Sequence, residues 1–163
     1  MRRFDLAPAG RDQRDCIDAL MQLYHYDASE WFPLPLEPNG RFAYRAVGRL
    51  WEQAGSFPLL IRADGELAGF AVVDKEVVNP GSDWNMGYFF IVRRHRGRGL
   101  GRDVAHELFR RYKGRWEVYQ VSENRQAIAF WRRVIQDFAG SRWREAERVI
   151  DGRPSVLQSF ISV

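Results

Sequence analysis

Between Trp84 and Lys113 the chain reads WNMGYFFIVRRHRGRGLGRDVAHELFRRYK, an apolar strand, a glycine-rich turn and an amphipathic helix with no spacer between them. The strand is apolar enough to be central in a sheet. Glycines follow at 97, 99 and 101, and Val104, Leu108 and Tyr112 then recur at helical spacing, which predicts a helix over Leu100–Lys113. Glycine tolerates unusual φ/ψ and lets a ligand approach the backbone closely. The first N–H groups of a helix have no internal partners, so such a turn offers several donors to one anion. The positive end of the helix dipole adds about 0.3–1 kcal/mol per anionic group. The pattern therefore predicts a diphosphate cradle, with a tight turn that holds no ligand as the alternative. Two familiar nucleotide loops fail here. No Lys-Ser/Thr follows the glycines, and residue 102 is Arg where the dinucleotide fingerprint needs glycine.

The rest of the chain frames that segment. A first strand is expected at Arg2–Leu6 and a helix over Arg11–Tyr26, striped by Ile17, Leu20, Met21 and Tyr24. WFPLPLEPNG is a loop, since its prolines and glycine cannot continue a helix. A second helix is expected over Arg41–Ala54, with Phe42, Val47, Leu50, Trp51 and Ala54 on one side. FPLLIR and ELAGFAVVDKEV flank the turn Ala63-Asp64-Gly65 as two strands, and NPGSD breaks the chain before the central strand. WEVYQV is a short strand and Asn124–Asp137 the last helix, with Ala127, Ile128, Trp131, Val134, Ile135 and Phe138 as its stripe. WREAERVI and SVLQSFIS close the chain, joined at Asp151-Gly152-Arg153-Pro154. The order β-α-α-β-β-β-α-β-α-β-β predicts one α/β (α+β) domain over 1–163, a mixed central sheet of about seven strands flanked by four helices.

A chain of 163 residues can bury about two-thirds of its unfolded surface in one core. No apolar run approaches the ~18 residues of a membrane span, and MRRFDLAPAGRDQRD lacks the apolar core of a signal peptide, so no membrane association is expected. The single cysteine, Cys16, excludes an internal disulfide and suits a reducing cytoplasm, the expected location. Net charge is +4, unevenly placed: residues 1–92 hold 9 Lys/Arg against 13 Asp/Glu, and residues 93–163 hold 16 against 8. One half suits a polyanion and the other a cation.

Arg96-x-x-Gly99-x-Gly101, between a central strand and a helix, resembles the acyl-CoA pyrophosphate loop of the GNAT superfamily of N-acetyltransferases, with Val92 at the apolar position four residues earlier. Asn124-x-x-Ala127-x-x-Phe130-Trp131 is similar to that family's second motif, Asn-x-x-Ala-x-x-Phe-Tyr. The element order is also the family's, so the resemblance covers nearly the whole chain and implies a GNAT-like fold. YHYDASEWF, FFIVRRHRGRGLG and AFWRRVI resemble a bacterial subgroup of predicted acetyltransferases of unassigned substrate.

The resemblance implies residue roles. Amides of Arg98, Gly99, Gly101 and Arg102, with Gly97 nearby, would hold the pyrophosphate. Arg96 and Arg98 would add charge near the phosphates, or form a solvated basic edge. The strand end Phe90-Ile91-Val92 would pair its backbone with the pantetheine arm, and one N–H there would stabilise the thioester oxyanion. Asn124 would hydrogen-bond the pantetheine, cap the last helix, or both. Where many members carry a glutamate as base, this chain reads Gly87-Tyr88-Phe89-Phe90, and the usual acid, a tyrosine, is Trp131. A lysine-like amine costs about 4–5 kcal/mol to deprotonate near pH 7, so the missing base matters. Tyr88 would be a proton relay or part of the acceptor pocket, and Glu123 a substitute base. Trp131 would pack against cofactor or core. Tyr24, Asp27, Glu30 and Trp31, around His25, mix aromatic faces with carboxylates and suit a cationic amine, or simply close the core. His95 and His106 are expected to be solvated.

Acetyl-CoA is thus the implied acyl donor, with no metal. The implied reaction is direct acetyl transfer to an amine in a ternary complex. The acceptor would be a small molecule, a peptide or a charged RNA, and the protein a monomer or homodimer. Two alternatives stay open: an acyl-CoA-binding pseudoenzyme, and a basic nucleic-acid-binding protein, favoured by a pI near 9.6.

Overall fold

The structure, a computed structural model, describes residues 3–44 and 47–163. One seven-stranded sheet runs in the order β1-β2-β3-β4-β5-β7-β6. The strands are β1 (Phe4–Pro8), β2 (Phe57–Ala63), β3 (Glu66–Asp74), β4 (Trp84–Ile91), β5 (Gly114–Val121), β6 (Trp143–Ile150) and β7 (Arg153–Ser162). The helices are α1 (Arg14–Ala28), α2 (Arg49–Glu52), α3 (Leu100–Arg111) and α4 (Arg125–Ala139). Neighbouring strands are antiparallel except β4 and β5.

Period-two alternation divides the core into two layers. On β3, Phe70 and Val72 face one cluster with Ile17, Leu20 and Met21 of α1 and Leu50 of α2. Ala71 and Val73 face the other, with Val104, Ala105, Leu108 and Phe109 of α3 and Trp131, Val134 and Ile135 of α4. Both faces of the inner strands are therefore covered, which is why those strands read as nearly continuous apolar runs. Two-residue turns close β2–β3 and β6–β7. Asp64-Gly65 and Asp151-Gly152 all have positive φ, the geometry that Asp-Gly favours.

Sequence periodicity overestimates the second helix. Only Arg49–Glu52 is helical, and Arg45 and Ala46 within the expected span lie outside the described residues. Phe42 instead pairs with Leu36 in an isolated bridge. The Gln22 side chain also takes both backbone groups of Phe42, accepting from its N–H at 2.8 Å and donating to its carbonyl at 3.0 Å. A side-chain amide from α1 thus replaces the helical bonds. Val47 and Leu50 are buried as the apolar pattern anticipates, whereas Ala54 is exposed. The first strand begins at Phe4, and Arg2 lies outside the described residues.

Candidate active site

β4 and β5 pair only at Trp84–Trp116 and Asn85–Glu117, then part. Beyond Asn85, β4 is bonded to β3 alone, while β5 is bonded to β7 along its whole length. A wedge results, one wall of which is the backbone edge of residues 86–91, which pairs with no strand and on which Arg96 takes the Ile91 carbonyl. A bulge at Gly87 accompanies the parting: Val72 pairs with Tyr88 but Val73 with Met86. The extra residue flips the alternation of β4. Asn85, rather than Met86, consequently shares the α1 face with Tyr88 and Phe90.

At the open end of β4, the Val92 N–H donates to the Ala68 carbonyl at 2.9 Å, and a single turn over Arg93–His95 leads into the glycines. Gly97 (φ 74°) and Gly99 (φ 84°) are left-handed, a conformation that other residues adopt only with strain. The buried Leu100 anchors the first turn of α3, and the Asp103 N–H reaches back to the Gly99 carbonyl at 3.0 Å. The N–H groups of residues 97–102 find no acceptor among the described residues. Six donors in succession, at a helix N-terminus, can hold a diphosphate. Gly101 has a separate constraint: a Cβ there would lie 3.2 Å from the Phe130 ring, so its smallness also lets α3 approach α4.

The arginines of the turn are not equivalent. Arg96 donates Nε–H to the Ile91 carbonyl at 2.6 Å and lies over the Phe90 ring at 5.3 Å. Its other end meets Asp27 at 2.5 Å, and Arg93 meets the same carboxylate at 3.1 Å. Asp27, expected at the amine, thus ties the end of α1 to the phosphate turn. Arg98 is exposed with no ion pair among the described residues, and Arg102 pairs with Asp103 at 3.0 Å. His95 is not solvated: it is buried, its Nε2 3.4 Å from Glu66. His106 is half-buried, its Nε2 2.9 Å from the Val134 carbonyl between α3 and α4. Both rings fill gaps between elements, which local sequence cannot show.

Asn124 caps α4, its Oδ1 accepting from the Ala127 N–H at 3.0 Å, while its Nδ2 meets no partner among the described residues. Capping leaves the amide free to donate to a ligand. Trp131 is a core residue, packed edge-on against Phe89 and Phe130 at 5.0 Å each. Phe90 and Ile91 bury their side chains on opposite faces of the sheet, so what they present to the wedge is backbone.

On the α1 face, Tyr24 stands edge-on to Tyr88 at 5.3 Å, and the Tyr88 hydroxyl accepts from Arg49 at 3.3 Å. Burial holds the Tyr24 phenol far above its ordinary range, with Tyr88 and Tyr119 adding to the shift. Burial also raises the Tyr119 phenol, with Asp151, Asp74, Glu76 and Tyr88 contributing. Neither tyrosine ionises readily. At the apex of the wedge Asp74, Asn85 and Glu117 form a row across β3, β4 and β5, all three buried. Glu117 accepts from the Val78 N–H, from the Asn79 N–H at 3.1 Å and from Ser82 Oγ at 2.9 Å, which fastens the loop over residues 78–82. Asp74 Oδ1 accepts from Asn85 Nδ2 at 3.1 Å and the Glu76 N–H at 3.0 Å.

Glu123 is exposed and pairs with Arg153 at 3.3 Å. Arg153 also donates to the Trp31 carbonyl at 2.8 Å and stacks over Phe32 at 4.3 Å, pinning the segment after α1 to the start of β7. Glu30 is exposed. Sequence reasoning missed Asp74, Asn85, Tyr119, Arg49 and Arg153. One signal was present: Asp74 ends an apolar strand where alternation places its side chain with Phe70 and Val72. Asn85, Tyr119 and Arg153 depend on strand register, and Arg49 on how α2 packs against β4.

Comparison with known proteins gives the family and the fold. The model of the acetyltransferase (GNAT) family matches residues 19–135. No curated protein matches the chain. An acetyltransferase from Thermus thermophilus is similar in structure at 19% identity, covering 99% of both chains with a TM-score of 0.73. Spermidine N-acetyltransferase from Vibrio cholerae, solved with CoA and spermine, is 15% identical over 98% of this chain and 95% of its own, with a TM-score of 0.69. The ribosomal-protein-S18-alanine N-acetyltransferase from Escherichia coli is 16% identical over 98% and 94%, with a TM-score of 0.59. At these identities the likeness is one of fold.

Proposed function

Because the chain belongs to the acetyltransferase (GNAT) family, we propose that it moves the acetyl group of acetyl-CoA to a cationic amine by direct attack in a ternary complex. The observation that carries this reading is the run of unpartnered N–H groups at 97–102, set at the end of a strand whose other edge is open. In this reading the amides of Gly97, Arg98, Gly99, Gly101 and Arg102 hold the pyrophosphate, with Arg98 adding charge. The backbone of Phe90-Ile91-Val92 takes the pantetheine as an added strand, and Asn124 Nδ2 donates to it. An N–H on the β4 edge faces the thioester carbonyl and stabilises the oxyanion as the C–N bond forms. The amine approaches from the α1 face, where Tyr24, Tyr88 and Tyr119 cluster and where aromatic rings suit a cation. Spermine beside CoA in the Vibrio cholerae neighbour supports an amine of this class.

The test has three readouts. Acetyl-CoA at ~100 times its Kd should stabilise by about 2.7 kcal/mol, roughly 5–10 °C in Tm for a chain of this size. Thiol release should then follow with at least one of spermine, a lysine peptide or an N-terminal alanine peptide. A CoA shift without thiol release would identify an acyl-CoA-binding protein that has lost turnover. No CoA shift, with a shift by short RNA that fades in salt, would return the arginines to a basic face and overturn the reading.

A further inference from the structure

The missing base has a structural replacement. Direct transfer to an ammonium needs a proton acceptor near the β4 edge, and most carboxylates on the α1 face are already engaged. Glu123 is paired with Arg153, Asp27 with Arg93 and Arg96, and Glu76 with Arg49 at 3.6 Å. Glu117 is surrounded by three donors. Asp74 differs. Its Oδ1 is held by two donors, which fixes the carboxyl, while its Oδ2 accepts no hydrogen bond among the described residues. That oxygen occupies the space a side chain at 87 would need, since a Cβ on Gly87 would come within 2.0 Å of it. The bulge that turns β4 away from β5 and the absent side chain at 87 thus bring one carboxylate oxygen against the strand that bounds the wedge. Asn85, whose Nδ2 holds Asp74 Oδ1, keeps its own Oδ1 buried and without a donor among the described residues. An open carboxylate oxygen suits an ammonium group, which has three N–H bonds to donate.

Resting on the acetyltransferase reading, we propose that Asp74 Oδ2 is the general base that takes the proton from the acceptor ammonium. The amine nitrogen, once neutral, attacks the thioester carbon; the C–N bond forms and the carbonyl oxygen becomes an oxyanion. Collapse breaks the C–S bond and expels the CoA thiolate with the electron pair. The nitrogen loses its second proton to solvent, the thiolate takes one from solvent, and Asp74 returns its own, so one proton is released per turnover. Burial raises the Asp74 carboxyl above its ordinary range, aided by Glu76 and opposed by Asn85, the Glu76 N–H and Arg49. A raised carboxyl is a stronger base than a free one. Tyr119 stands near it, and burial keeps that phenol protonated at working pH.

Asp74→Asn tests this, because asparagine keeps an Oδ1 acceptor for both donors. Three results are expected together: an unchanged acetyl-CoA thermal shift, a Tm no lower than wild type at neutral pH, and a kcat lower by about 10²–10⁴-fold with the best amine of the panel. The pH profile separates a base from a scaffold. Wild-type kcat/KM should level off above the Asp74 pKa, whereas the variant should keep rising with pH towards the amine's own pKa of ~10.4. A second variant, Gly87→Ala, crowds Oδ2 without removing it and should lower kcat with the CoA shift retained. Equal kcat and equal pH profiles in wild type and Asp74→Asn would overturn the proposal while leaving the acetyltransferase reading intact. Loss of the CoA shift in Asp74→Asn would make Asp74 a scaffold residue and also overturn it. Wild type without thiol release on any amine would instead sink the acetyltransferase reading itself.

Discussion

On the proposed phosphate side of the wedge, the groups offered to a ligand are backbone amides of six consecutive residues, 97–102. On the proposed amine side they are side chains from five elements: Tyr24 on α1, Arg49 on α2, Asp74 on β3, Asn85 and Tyr88 on β4, and Tyr119 on β5. The first arrangement is local and tolerates substitution of most side chains, because only glycine positions and the helix start matter to it. The second is non-local, and each residue can change while the sheet stays intact. In this reading a diphosphate cradle can be kept while the amine site is rebuilt, as Tyr88 at the position of the expected glutamate illustrates.

The sharpest way to separate the two sides is Asp74→Asn, with the fall in turnover given above and no loss of acetyl-CoA binding. A comparable loss of both would show that the sides are not independent. Next in size is Trp131→Ala. As a core residue packed on Phe89 and Phe130, it should cost about 3–5 kcal/mol of stability. That is roughly 6–20 °C in Tm, read by thermal denaturation. An unchanged Tm with weakened CoA binding would place the ring on the cofactor instead. Gly99→Val should strain the left-handed turn by about 1–2 kcal/mol and weaken acetyl-CoA by on the order of tenfold, leaving the fold in place. Calorimetric titration would measure it.

Smaller effects concern the seam between the two sides. Asp27→Asn frees Arg93 and Arg96, and because Arg93 is largely and Arg96 partly exposed to solvent, stability should fall by no more than ~1 kcal/mol, less in high salt. The amine KM should not move, and a clear rise would return Asp27 to the amine site. The smallest effect is a pH slope. His25 is stacked on Tyr44 at 4.5 Å, its Nδ1 2.8 Å from the Met21 carbonyl, and burial lowers its pKa below the ordinary 6.5. The unfolded chain then binds more protons at this residue, so its contribution to stability is present above pH ~6.5 and is lost as pH falls below it. Denaturant melts of wild type and His25→Phe at pH 8 and pH 5.5 should show the slope in the wild type alone.

Strands, the long helices and the glycine turn were legible because their signals are local. Leu100–Arg111 and Arg125–Ala139 carry unbroken apolar stripes, and both Asp-Gly turns carry residues chosen for positive φ. The second helix was misjudged because its apolar spacing is real but its backbone is captured by Gln22, a residue twenty positions earlier. His95 and His106 were misjudged for the same kind of reason, since each finds its partner across an element boundary.

By itself, then, the sequence determined the element order, the family-like motifs and a helix N-terminus with free amides, because periodicity, glycine φ preference and unpaired first-turn N–H groups all act within a few residues. Tertiary structure decided which carboxylate can work as a base. Whether an acid is paired, saturated or left with one open oxygen depends on what strand register and packing bring beside it. Here a one-residue bulge at Gly87 sets Asp74, Asn85 and Glu117 in a row and leaves Asp74 Oδ2 the open oxygen.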